Sequence, residues 1–264
     1  MNLIIYNIIL NKLKLSNNHI HHNKLNNNPE KSYEEIAIDK KQGCKNLIQS
    51  ILYIKNTPVI FNKTKISQKI GYVISGKIKI KYEGVYLNQT INKTFTLGPG
   101  TSFLIPERTK STLDNIDNNY SMILLVKSPQ DEFAKLKKAK INNFNEKFLI
   151  VNKDDQQNLP AGRDRYFKLM IDPYFGSKYV TQFLGYIKKI KAPFHEHTYD
   201  EVIYILQGEG IVHHNNSKTQ IKKGSSVYLP PGTIHRLENK NKDIELQLLG
   251  VFCPAGSPAD KDEK

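Results

Sequence analysis

The residues of this chain whose types and spacing can do chemistry lie between positions 195 and 235. His195, His197 and Glu201 sit in the run Phe194-His195-Glu196-His197-Thr198-Tyr199-Asp200-Glu201, ahead of a segment rich in strand formers, and His235 follows the turn Pro230-Pro231-Gly232. Side chains alternate faces along a strand, so positions 195, 197 and 201 share a parity and are expected to project the same way. Three imidazole nitrogens and one carboxylate oxygen suit Fe(II), Mn(II), Ni(II), Co(II) or Zn(II), and they leave positions open on an octahedral ion. Open positions admit a substrate or dioxygen. A single histidine is most often a hydrogen-bonded core residue, but three of the five histidines outside the N-terminal tail fall into this one pattern with an in-phase glutamate.

Other residues are weaker candidates for the same pocket. His213 and His214 follow Gly208-Glu209-Gly210, and since neighbours on a strand alternate, only one of them can look inward. His213 is taken as the pocket residue. Tyr204 and Tyr228 have polar tips suited to orienting a bound oxygen, against the ordinary role of strand aromatics as core. No residue is singled out as catalytic.

The elements that must position these groups read as strands. From about Ser50 onward, short runs rich in Ile, Val, Tyr, Phe and Thr alternate with Gly, Pro and Asn turns. Between two such blocks, Asp131 to Ile141 reads as a short helical connection. The blocks form a diverged internal repeat: Gly76, Gly100, Pro106 and Asn115 in the first correspond to Gly208, Gly224, Pro230 and Asn239 in the second. In both, five residues separate the second Gly from Pro and eight separate Pro from Asn.

At these positions the sequence resembles the cupin superfamily, whose first motif is His-x-His, three or four residues, Glu, six residues, Gly. His195, His197, Glu201 and Gly208 fit it with three and six intervening residues. The second motif, Gly, five residues, Pro-x-Gly, two residues, His, three residues, Asn, is matched by Gly224, Pro230, Gly232, His235 and Asn239. One departure lies upstream, where nine residues separate Gly185 from His195 instead of the motif's shorter gap. The resemblance implies an all-β chain of two cupin-type (double-stranded β-helix, or jelly-roll) barrels with a short helical connection. Together with the composition of the two ends, it divides the chain into a low-complexity, disordered extension (1–32), a degenerate barrel (33–130), the connection (131–168), a metal-binding barrel (169–254) and a C-terminal tail (255–264). Counting back from Gly76, the positions matching His195, His197 and Glu201 are Lys63, Lys65 and Lys69, and Ser111 matches His235. Such a barrel holds no cation; a lysine-lined pocket for an anion is the sharper alternative to a purely structural role.

The resemblance further implies one divalent metal ion, with Fe(II) or Mn(II) favoured over Zn(II), Ni(II) or Co(II), and a mononuclear metalloenzyme acting on a small molecule. Dioxygenase-type or other oxidoreductase chemistry is slightly preferred. The alternatives are a non-catalytic barrel binding a sugar or carboxylate, or an isomerase, lyase or aminohydrolase of the same superfamily. The formal charge of +14 comes mainly from dispersed lysine, which reads as a solvated surface and not as a nucleic-acid site. No apolar run reaches the ~18 residues a membrane helix needs. Cys44 and Cys253 are far apart in sequence and read as free thiols in a reducing compartment. A cytoplasmic homo-oligomer is expected, an organelle presequence being the alternative reading of the acid-free N-terminus. His19, His21 and His22 in that tail are read as unstructured.

Overall fold

The computed structural model describes residues 31–131, 135–141, 144–162, 164–188, 192–214 and 217–258. The N-terminal extension, its three histidines and the last six residues lie outside them. In chain order the strands are β1 (Tyr33–Ile38), β2 (Ile48–Ile54), β3 (Val59–Phe61), β4 (Gln68–Ser75), β5 (Ile78–Tyr86), β6 (Gln89–Leu97), β7 (Thr101–Ile105), β8 (Thr109–Asn115) and β9 (Ser121–Ser128). There follow β10 (Ile150–Asn152), β11 (Leu159–Pro160), β12 (Arg165–Ile171), β13 (Thr181–Ile187), β14 (Asp200–Gln207), β15 (Glu209–His214), β16 (Ser217–Lys222), β17 (Ser226–Leu229), β18 (His235–Asn239) and β19 (Leu246–Cys253).

Each half folds two antiparallel sheets face to face. The first pairs the order β1-β2-β9-β4-β7-β10 with β3-β8-β5-β6, and the second pairs β11-β12-β13-β19-β14-β17 with β16-β15-β18. A strand alternates its faces, so one set of side chains fills the space between two sheets. In the second half that inner set includes Phe183, Gly185, Leu248, Phe252 and Glu201, aligned by the register of β13, β19 and β14. No α-helix occurs among the described residues. The described part of Asp131 to Ile141 has no helical turn, and the helical character of the connection lies later, in 3-10 turns at Glu146–Leu149 and Lys153–Asp155. Charge explains the difference: Lys135, Lys137, Lys138 and Lys140 crowd like charges onto a short segment. The second barrel also begins earlier than 169, since β11 and β12 already belong to its sheet.

The repeat extends upstream of what glycine and proline spacing reveals. Tyr33, Asp39, Gly43 and Tyr53 each have a counterpart 133 residues later in Tyr166, Asp172, Gly176 and Tyr186. Tyr33 stacks on Tyr53 as Tyr166 stacks on Tyr186, with ring centroids 4.6 and 4.5 Å apart. Asp39 and Asp172 each cap a 3-10 turn that ends on a glycine with positive φ, 87° at Gly43 and 97° at Gly176, a backbone state costly for other residues.

The two barrels meet through reciprocal contacts. The Tyr86 hydroxyl donates to the Gly176 carbonyl at 2.6 Å, and the Tyr228 hydroxyl lies 3.2 Å from the equivalent Gly43 carbonyl. Asn46 donates to Asp200 at 2.6 Å, Ser102 to Gln182 at 2.6 Å, and Lys178 forms an ion pair with the buried Glu107. Ser128 and Cys253, which end equivalent strands, meet at 3.4 Å. No helix among the described residues is long and apolar enough to cross a membrane.

Candidate metal centre

Glu201 is the second residue of β14, and its register opposite Phe252 and Leu229 turns the carboxylate into the barrel. His195 lies before the strand, paired in an isolated antiparallel bridge with His235 at the start of β18. That bridge has both backbone hydrogen bonds, at 3.0 and 2.9 Å, so the two rings are held side by side by main chain. His197 is in the loop between the bridge and β14; the Gly232 amide donates to its carbonyl at 2.7 Å. The groups expected along one strand therefore come from a bridge, a loop and a strand, yet they converge. The ligand nitrogens of His195, His197 and His235 lie within 4.8 Å of one another.

Two of the rings have their tautomer set by main chain. His195 Nδ1 is 3.0 Å from the Pro193 carbonyl, and His235 Nδ1 is 2.8 Å from the Thr233 carbonyl. A carbonyl only accepts, so Nδ1 carries the hydrogen and Nε2 keeps its lone pair for the centre. Tyr199 stacks on the His197 ring at 4.7 Å with the planes 13° apart, and Phe252 packs on both. Glu201 Oε2 is buried with no hydrogen-bond partner among the described residues, facing His197 Nε2 at 3.6 Å and His235 Nε2 at 3.8 Å. An orphaned carboxylate oxygen among imidazole lone pairs is costly unless a cation sits between them. The residues present thus fit a divalent ion.

The electrostatics point the same way. Burial pushes the Glu201 carboxyl up to about 8. Burial pushes His197 down to about 4 and His235 down to about 3, with the neighbouring His195 adding to each. Burial also lowers His195, and the Arg165 charge contributes in the same direction against the opposing Pro193 hydrogen bond. Neutral imidazoles are the ligating form.

Beyond the ligands lies a cavity of about 80 Å³ walled by Phe167, Phe183, Ile187, Leu237, Leu248 and Phe252, with Arg165 in its lining. Arg165 escaped the sequence reading because it lies 30 residues before His195 in a segment assigned to the connection. Three pocket residues expected from sequence are placed elsewhere. Tyr204 and Tyr228 are on the opposite face of β14 and β17 from Glu201; Val202 pairs with Tyr228, and the Tyr228 hydroxyl donates to Asp200 at 2.6 Å toward the first barrel. His213 pairs with Arg236 on the outer face, where Glu238 meets its Nε2 at 2.6 Å. The inward neighbour is His214, directly opposite His235, with Nε2 3.2 Å from Thr219 Oγ1. Strand alternation decides all three, and it needs the register, which spacing alone does not supply.

The first barrel also departs from the count back from Gly76. Lys69 pairs with Ile105 as Glu201 pairs with Leu229, so Lys69 does occupy the glutamate position. Phe61, however, pairs with Ser111 as His195 pairs with His235. Eight positions separate Phe61 from Lys69 but only six separate His195 from Glu201, so the first barrel carries two extra residues in this loop. Lys63 and Lys65 lie in that loop and are exposed. Phe61 fills the histidine position, with the Lys69 ammonium 4.9 Å from its ring centroid, so the centre is not a lysine-lined anion pocket.

Residues 187–252 match the family model described as a cupin domain. The second barrel is therefore a cupin domain, and the chain as a whole has the two-barrel cupin fold. Among solved structures it is similar to the protein YlbA of E. coli (TM-score 0.63, 16% identity, 88% of this chain and 85% of that one). It is also similar to Bacillus subtilis oxalate decarboxylase OxdC (TM-score 0.66, 12% identity, 85% and 73%). An uncharacterized protein of Methanocaldococcus jannaschii is 37% identical over 73 residues, 27% of this chain and 58% of that protein. An uncharacterized protein of Aquifex aeolicus is 30% identical over 77 residues, 29% and 61%. The matches thus span about three fifths of these relatives.

Proposed function

We propose that the second barrel is a mononuclear metal centre, held by His195, His197, Glu201 and His235, that transforms a small molecule. The observation that carries this reading is the orphaned Glu201 oxygen facing imidazole nitrogens beside a cavity with room for a ligand. A divalent ion there, Fe(II) or Mn(II) in preference to Zn(II), Ni(II) or Co(II), would supply Lewis-acid or one-electron chemistry, and oxidoreductase chemistry of the dioxygenase type is the favoured class. The protein's own part is positional. The His195–His235 bridge and the two Nδ1 hydrogen bonds fix the imidazole lone pairs, and mostly apolar walls flank the site where the reacting group would sit.

The test compares wild type with His197→Ala, both incubated with Fe(II) or Mn(II), for oxygen uptake and product formation across small hydroxy, keto and phenolic compounds. The reading predicts metal-dependent turnover in wild type and none in the variant. Ligand-stabilised melting without turnover in any metal form would instead mark a non-catalytic binding barrel.

A further inference from the structure

We propose that Arg236 and Phe194 form a clasp on the outer face of the second barrel that holds the His195–His235 bridge in ligating geometry, which makes Arg236 a positioning residue of the metal centre. The inference rests on the metal-centre reading above and adds how one of its ligands is kept in place.

His195 is carried on a short segment outside any strand. Upstream of its bridge to β18, Pro193 has no N–H to donate, and one backbone bond among the described residues, from the Ala192 amide to the Leu237 carbonyl at 2.9 Å, ties the segment to β18. A ligand on so short a ladder opens easily unless side chains secure it. Because the bridge is antiparallel, the residue before His195 lies beside the residue after His235. These are Phe194 and Arg236, and alternation turns both outward while the two imidazoles turn inward. Arg236 Cζ lies 4.2 Å from the Phe194 ring centroid, well within the reach of a cation–π contact.

Phe194 is 49% exposed, so burial alone does not account for this ring beside a ligand. Arg236 Nε is buried with no hydrogen-bond partner among the described residues, and the guanidinium meets the segment through its flat face. A third side chain, His213 of β15, backs the pair. It lies opposite Arg236 in the sheet, its ring centroid is 6.4 Å from that of Phe194 with the planes 87° apart, and Glu238 meets its Nε2 at 2.6 Å. Arg236 therefore joins the segment that carries His195 to the body of the sheet.

Hydrogen exchange of the His195 and His235 amides in the metal-free protein reads the bridge directly. Competition of Co(II) against a chelator, with the Co(II) visible spectrum, reads the centre. Both are measured on full-length wild type, Arg236→Gln, Phe194→Leu and the double variant, and on Arg236→Lys and Phe194→Trp, which keep a cation and a ring face. Each of the first two substitutions is expected to speed amide exchange about three- to tenfold and to weaken Co(II) binding by a similar factor, with the double variant little worse than either alone. Arg236→Lys should fall between wild type and Arg236→Gln, and Phe194→Trp should match wild type. Exchange no faster in Arg236→Gln, or full additivity of the two substitutions, overturns the clasp. Faster exchange at unchanged Co(II) affinity and spectrum overturns its bearing on the ligand. Should wild type take up no Co(II), the metal-centre reading fails, while exchange in the metal-free protein still decides the clasp.

Discussion

His197 is held by packing and loop geometry, and it supplies one of the converging nitrogens. Replacing it with alanine is expected to abolish metal uptake, whereas Lys65→Ala on the surface of the first barrel should leave it unchanged; elemental analysis after dialysis distinguishes them. Glu201 adds a pH dependence. Its carboxyl, raised by burial to about 8, must lose a proton to become a ligand, while His197 and His235 are already neutral above about 4. Metal affinity should therefore rise by about tenfold per pH unit between pH 6 and 8 and level off above, with one proton released per ion. Glu201→Gln should flatten that rise, and competition against a chelator at several pH values measures it. The four candidate ligands were legible in the sequence because the motif fixes residue types and gaps in a continuous stretch. Arg165 was not, because its proximity to His195 is created by sheet pairing and leaves no local pattern.

At the scale of elements, Asn239 shows what a motif residue can do without touching the site. Its Nδ2 lies 3.0 Å from the Ile187 carbonyl, 2.6 Å from that of Lys188 and 2.9 Å from that of Ile244, and its Oδ1 accepts from the Asn241 amide at 3.0 Å. This side chain ties the end of β18 to the end of β13, which carries the cavity residue Ile187 facing Arg165. Asn239→Ala leaves those carbonyls without their donor and should cost about 2 kcal/mol, read as a lower denaturant midpoint at unchanged slope. The strands and turns of both halves followed from β-branched runs punctuated by Gly and Pro. The two-residue loop difference that puts Phe61 opposite Ser111 did not, since counting from a downstream glycine cannot see an insertion. The faces of His213, Tyr204 and Tyr228 were hidden for a related reason: a shift of one residue exchanges inside for outside.

For the whole molecule, the reciprocal contacts between barrels argue for a single folding unit. Asp200 accepts from both Asn46 and Tyr228, so the strand that carries Glu201 is also bonded to the first barrel. Calorimetric unfolding of the metal-free protein should show one transition with equal calorimetric and van't Hoff enthalpies. Tyr228→Phe should lower its midpoint without splitting it; two separate transitions would show that the barrels fold independently. The duplication itself was visible in glycine and proline spacing, but its upstream extent was not. Stacked tyrosines and capped 3-10 turns recur as geometry, while the residues between them have diverged.

One divalent ion is expected per chain, in the second barrel alone. Metal analysis of the purified protein, before and after anaerobic reconstitution with Fe(II) or Mn(II), tests it most directly. About one equivalent per chain is expected, lost in His197→Ala and retained when Lys69 is replaced by alanine. Less than about a tenth of an equivalent in both preparations, or two equivalents with one surviving His197→Ala, would contradict it.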